Sequence, residues 1–260
     1  MNLDIINSKF KKNGYVVVKN FLTKTQVKKV FYQLNEMIDV CLGKSDKKST
    51  LEQKYLYLFK KDPKLKSHFY DCITYLDCLN QFSASEKTLK IVKKLLGEKT
   101  VLCQGSQVRM DHPKDPYYLP QHQELGQMSN KLVLFYVPLV NLNKKIGGIN
   151  LRPKSHKLGF VRYKGHDMEG RMAGNSRSKI IKKFFEQSHL KKYKSISLNL
   201  KAGDALIFHN YLFHGTNPNL EKKKIRSVYL TRFNSIHRMP YLKNSKNKLF
   251  ISYKANYDLI

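Results

Sequence analysis

The rhythm of hydrophobic and polar positions changes once along the chain, near residue 100. Before that point apolar residues recur at three- and four-residue intervals, the spacing of one helical face. Val27, Val30, Phe31, Leu34, Ile38 and Cys41 keep this spacing, and Thr23-x-x-Gln26 ahead of them reads as a capping box. The pattern predicts a helix that ends near Gly43. A short helix over Leu3–Lys12, a stop at Asn13-Gly14 and a strand over Tyr15–Val18 come before it. The polar stretch 44–50 reads as a loop. Helices follow over 51–61 and 64–81, broken by Asp62-Pro63, and over 86–96, closed by Gly97. Tyr55, Leu58, Phe59, Phe69, Ile73 and Leu76 read as core.

After Thr100 short strand-like segments take over, at 100–104, 106–111, 131–140, 147–152, 157–163, 195–200, 204–209 and 225–234. His112-Pro113, Gly147-Gly148, Ala202-Gly203-Asp204 and Asn217-Pro218-Asn219 supply turn signals between them. Helices first and many short strands after predict a mainly β fold, with the helices packed outside a β-sandwich or open barrel. No internal repeat or low-complexity linker divides the chain, so residues 1–260 read as one domain: a helical flank over 1–98 and a strand-built core over 99–240. The polar, basic insertion 164–192 reads either as a lid over a site or as a surface excursion.

One short stretch carries chemistry. In Gln121-His122-Gln123-Glu124, strand alternation puts His122 and Glu124 on one face, where imidazole and carboxylate can grip one metal ion. Alone this is a three-residue pattern of the kind that arises by chance. Far downstream, Gly203-Asp204 turns into an apolar strand and His214 follows at the end of the next. Arg226, twelve residues beyond His214, lies in the strand Ile225–Phe233, where an inward-facing guanidinium needs an anion. Two imidazoles and one carboxylate on one face of an octahedral ion leave three positions open, which suits non-haem Fe(II). A 2-oxo acid fills two of these, O2 the third, and Arg suits the far carboxylate of the acid better than Lys. His209 is the rival to His214 and reads as a packed strand histidine. His156, in a loop, reads as a structural hydrogen-bonding residue. Arg232 is the fallback for Arg226 under another strand register.

Composition changes this picture little. The formal charge is +30, carried by 41 Lys and 8 Arg spread along the whole chain. Nucleic-acid recognition tends to recruit Arg, and no reader motif is present, so compositional drift with a solvated basic surface is the preferred account. The four cysteines, Cys41, Cys72, Cys78 and Cys103, match no zinc or disulfide spacing and read as free, mostly buried thiols of a reducing compartment. Met1 to Phe10 lacks the charge and apolar pattern of a signal peptide, and no apolar run approaches a membrane span. A cytoplasmic protein is the expectation.

The chain resembles the phytanoyl-CoA dioxygenase family of Fe(II)/2-oxoglutarate oxygenases over nearly its whole length. Four segments carry the resemblance: Asn13 to Leu22, Leu119 to Glu124, Gly147 to Gly159 with its Pro153-Lys154-Ser155-His156-Lys157, and Ala202 to Asn219 followed by Arg226. The resemblance implies a double-stranded β-helix, a cupin-like jelly roll. It implies that His122, Glu124 and His214 bind iron, that Arg226 and Thr216 contact 2-oxoglutarate, and that Gln107 faces the co-substrate, with Arg109 as a substrate contact. The family usually has Asp where this chain has Glu124, and often Trp in place of Gln121. Retention of a carboxylate argues against halide ligation to the iron.

The function expected is therefore hydroxylation of a small organic substrate using Fe(II), 2-oxoglutarate and O2, with release of succinate and CO2. The basic surface mildly favours an anionic substrate, and drift accounts for that surface equally well. The alternatives are a cupin-type metalloprotein with no 2-oxo acid, which has no need of Arg226, and a non-catalytic anion or nucleic-acid binder driven by the lysines.

Overall fold

The computed structural model describes residues 1–44, 48–61, 65–113, 119–124, 131–161 and 188–238. The N-terminal third is helical, as the three- and four-residue spacing requires. Helix α1 spans Leu3–Asn13, with the Asn2 side chain accepting from the Asp4 and Ile5 amides, and ends on Gly14 in the left-handed region. Strand β1 is Tyr15–Val18. Helix α2 spans Lys24–Leu42 behind the Thr23/Gln26 capping box and stops at left-handed Gly43. Helices α3 (Leu51–Lys61), α4 (Leu65–Ile73), α5 (Asp77–Ala84) and α6 (Glu86–Leu96) complete the layer. The single helix expected over 64–81 is two, with a turn at Thr74–Leu76 between them.

Among the described residues nine strands follow the jelly-roll pattern, all pairs antiparallel. The larger sheet runs in the order β1-β7-β4-β9-β2, with β2 at Val101–Asp111, β4 at Leu132–Pro138, β7 at Ala205–His209 and β9 at Arg226–Ser235. The smaller runs β3-β8-β5-β6, with β3 at Leu119–His122, β5 at Ile149–Leu151, β6 at Ile196–Ser197 and β8 at His214–Thr216. The two strands expected over 100–111 are one, bent by a bulge between Cys103 and Ser106 that contains left-handed Gly105. The strand expected over 157–163 is absent among the described residues. Instead Lys154 takes a positive φ of 70° and Ser155–Leu158 forms a 3-10 turn. Buried Ser155 accepts from the Phe213 amide, and His156 bonds the Lys11 carbonyl. Those contacts hold the segment as a plug between α1 and β8 rather than as a ladder partner.

Alternation along the larger sheet sorts two cores. Val133, Phe135, Val137, Ile207, Tyr229 and Phe233 face the helices. Leu132, Leu134, Tyr136, Leu206, Phe208 and Val228 face the smaller sheet. Of the residues read as helical core, Tyr55, Leu58, Phe59, Phe69 and Ile73 are buried and Leu76 is partly so. The thiols are free as expected, but three of the four are exposed and only Cys78 is buried. The lid reading of 164–192 falls outside the described residues up to 187, and the described end holds one helical turn, Ser188–Lys191. Among the described residues no helix is long and apolar enough to cross a membrane.

Candidate metal centre

Two strands of the smaller sheet bring the imidazoles together. His122 on β3 and His214 on β8 are direct cross-strand partners, with ring centroids 4.4 Å apart. Glu124 follows one strand repeat after His122, and its amide donates to the Asn210 carbonyl at 2.9 Å. Between them Gln123 points the other way and is pinned there. It donates to the Gly159 and Tyr211 carbonyls and accepts from the Val161 amide. Gln121 also faces away, donating to Asn150 and Ser195. The two glutamines thus anchor the segment while His122 and Glu124 look inward.

The donor atoms converge. Oε1 of Glu124 lies 3.6 Å from His122 Nε2 and 3.8 Å from His214 Nε2, and one ligand atom from each residue falls within 4.8 Å of the others. Neighbouring ligands on an octahedral ion sit about 3 Å apart, so a small inward movement of each side chain would close the set on an ion. His214 Nδ1 is 2.9 Å from the Leu212 carbonyl. A carbonyl only accepts, so Nδ1 carries the proton and the Nε2 lone pair faces the site. Burial and the neighbouring His122 push His214 below its ordinary pKa, which keeps the ring neutral as a ligand must be. Burial pushes the Glu124 carboxyl up, but Arg232 and the two imidazoles outweigh it and hold it well below the usual range, ionised. Arg232 Nη2 is 3.4 Å from Glu124 Oε2.

The second part lies farther along the same inner face. Arg226 is fully buried. Its Nε donates to Asp111 Oδ2 at 2.8 Å, and its Nη1 donates to the Asn217 and Ile146 carbonyls. Arg109 Nε holds the other Asp111 oxygen at 2.7 Å. Two guanidiniums share one carboxylate, so the cluster carries a formal surplus of one positive charge. Nη2 of Arg226 and the hydroxyl of Tyr136 are buried with no hydrogen-bond partner among the described residues. Burial pushes the Tyr136 hydroxyl up to about 12, so it stays a donor. Buried donors left unpaired beside surplus positive charge fit a carboxylate. Thr216, also buried, stands on β8 two residues from His214 and on the same strand face, between ligand and cluster.

Sequence reasoning missed Tyr136 and Asp111. A tyrosine in the otherwise apolar run Leu132–Pro138, in phase with Leu132 and Leu134, was the available signal for the first. Gln107 is not gathered into the cluster. It is exposed on β2, four residues and about 13 Å of extended strand from Asp111. His209 stands outside the metal group, its Nδ1 accepting from the Tyr211 amide and its ring against Phe10 and His156. Burial lowers it to about 4.

A glycine shapes the cluster. Gly147 has φ +73°, and a Cβ there would fall against the Pro218 carbonyl and 2.6 Å from Arg226 Nη1. Gly147→Ala is expected to cost about 1–3 kcal/mol in a denaturant melt, from strain at positive φ and displacement of that guanidinium. An unchanged midpoint would show that the turn relaxes freely.

The family described as "Phytanoyl-CoA dioxygenase (PhyH)" matches residues 10–228. A 1-deoxypentalenic acid 11-beta-hydroxylase from Streptomyces exfoliatus is 26% identical over 220 residues, covering 81% of this chain and 73% of that protein. Among solved structures, the epimerase SnoN in complex with Fe3+, alpha ketoglutarate and nogalamycin RO superposes with a TM-score of 0.63 at 13% identity, over 95% of this chain and 91% of that one. EctD from S. alaskensis in its apoform gives 0.60 at 12% identity, over 95% and 82%. At these identities the solved structures establish the shared fold.

Proposed function

The chain belongs to the phytanoyl-CoA dioxygenase family, and from that membership we propose that it hydroxylates a small organic substrate with Fe(II), 2-oxoglutarate and O2, releasing succinate and CO2. The observation that carries this reading is the convergence of His122, Glu124 and His214, three donors within 4.8 Å on one face. Iron bound there, with 2-oxoglutarate and O2, supplies the oxidising power to replace an unactivated C–H by C–OH.

The chain's own residues do the rest. His122, Glu124 and His214 offer two neutral nitrogens and one anionic oxygen, and leave the opposite side of an ion open. Arg226, Tyr136 and Thr216 hold the distal carboxylate of 2-oxoglutarate, which supplies the anion that the Arg226–Asp111–Arg109 cluster lacks. Leu134, Phe208 and Leu206 wall the inner face and keep water from the reacting groups. Gln107 lies on the same face of β2 as Arg109 but two residues farther from Asp111 and exposed, so it is assigned to the substrate side of the cluster rather than to the co-substrate.

Anaerobic addition of 2-oxoglutarate to the Fe(II)-loaded protein is expected to produce the visible charge-transfer absorption of an iron-chelated 2-oxo acid. Glutarate, which lacks the oxo group, should give none. The absence of this band at saturating metal and co-substrate would end the proposal.

A further inference from the structure

The two oxygens of Glu124 are divided between different neighbours. Oε1 faces both imidazole Nε2 atoms, at 3.6 and 3.8 Å, while Oε2 faces the Arg232 guanidinium at 3.4 Å. Arg232 lies 108 residues away in sequence, on β9 opposite Leu134 of β4. Its side chain is only about a quarter exposed. Arg226 and Arg232 are six residues apart on the same inner face, about 20 Å along an extended strand. They therefore serve different ends of the site, Arg226 the buried cluster and Arg232 the ligand carboxylate.

We propose that Arg232 is a positioning residue that holds Oε2 of Glu124 away from the metal, so that this longer carboxylate offers the ion a single oxygen. The proposal rests on the metal reading above and deepens it. Glutamate has one more rotatable bond than aspartate, and Glu124 lies two residues past the end of β3, so anchoring its backbone does not by itself fix where its carboxylate points. A carboxylate free to swing can chelate with both oxygens and take a position that the 2-oxo acid or O2 needs. A guanidinium fixed on β9 prevents this, because it binds one oxygen and leaves the other directed at the imidazoles. Arg232 thus answers the irregular member of the motif, a glutamate in an aspartate's place.

The test is anaerobic titration of the 260-residue chain with Co(II) and then with 2-oxoglutarate, followed by calorimetry and by the visible ligand-field spectrum. Arg232→Gln is expected to alter the spectrum at saturation, because the freed oxygen can join the ion, and to weaken the binding of 2-oxoglutarate to the Co(II)-loaded chain about 10- to 100-fold, with Arg232→Lys recovering most of both. In a Glu124→Asp background the shorter arm no longer reaches the guanidinium, so Arg232→Gln should there cost less than threefold. Equal losses in both backgrounds would mean that the arginine acts on the fold and not on the carboxylate, and would overturn the proposal. So would an Arg232→Gln variant with unchanged 2-oxoglutarate affinity and spectrum. Failure of the metal reading looks different: Glu124→Ala and His122→Ala would then bind Co(II) as the unaltered chain does.

Discussion

Replacing His214 with Ala is expected to abolish divalent-metal binding and, with it, all turnover of 2-oxoglutarate. Loss of a mere hydrogen-bond partner of a metal ligand typically costs 10- to 100-fold in affinity, so removal of one of three protein ligands should exceed about 100-fold. His122→Ala should behave alike, because the two rings are cross-strand partners whose Nε2 atoms face the same Glu124 oxygen. The informative control is His209→Ala, five residues before His214 and packed against Phe10 and His156. It should lose some stability but keep metal affinity within about threefold of the unaltered chain. Calorimetric titration with Co(II), beside a thermal melt of each variant, separates the two effects. Full metal binding by His214→Ala with its fold intact would remove it from the ligand set, and loss of binding by His209→Ala would point to the rival assignment.

The candidate metal ligands were legible because a strand writes its geometry into every second residue. His122 and Glu124 could be placed on one face from spacing alone, and His214 earned its place from the turn that follows it. Helices α1, α2 and α6 were equally legible, since each carries a side-chain N-cap and a left-handed glycine stop within its own few residues. What could not be read depends on partners far away in sequence. Ser155–Leu158 looks like a strand until the Phe213 amide and the Lys11 carbonyl are seen to claim it. Arg226 was expected to await an anion, and the structure supplies part of that anion internally as Asp111, 115 residues upstream. Arg232 was a fallback for register, whereas its place on the Glu124 carboxylate follows from the pairing of β9 with β4. No local pattern encodes such pairings, because loop closure and sheet order decide them.

The buried cluster leads to the second large effect, in which stability and co-substrate binding separate. Arg226→Ala would leave Asp111 with one cation in place of two, and the Asn217 and Ile146 carbonyls without their donor. Breaking a buried pair from one side typically costs about 3–5 kcal/mol, so this variant should melt far lower and says little about binding by itself. Tyr136→Phe is the sharper probe. Its hydroxyl is buried and has no partner among the described residues, so the protein alone gains nothing from it and the phenylalanine variant should melt no lower. In the proposed complex with 2-oxoglutarate the same hydroxyl would donate to a carboxylate, and hydrogen bonds to charged groups contribute about 1.5–3 kcal/mol. The KM for 2-oxoglutarate should then rise by roughly 10- to 100-fold while kcat changes little, the signature of lost uniform binding. Arg226→Lys should add to this rise, because an ammonium keeps the charge without the fork that reaches Asp111 and the carboxylate together. If Tyr136→Phe instead destabilises the chain and leaves KM unchanged, the hydroxyl belongs to the fold. The co-substrate carboxylate would then have to be sought elsewhere on the inner face.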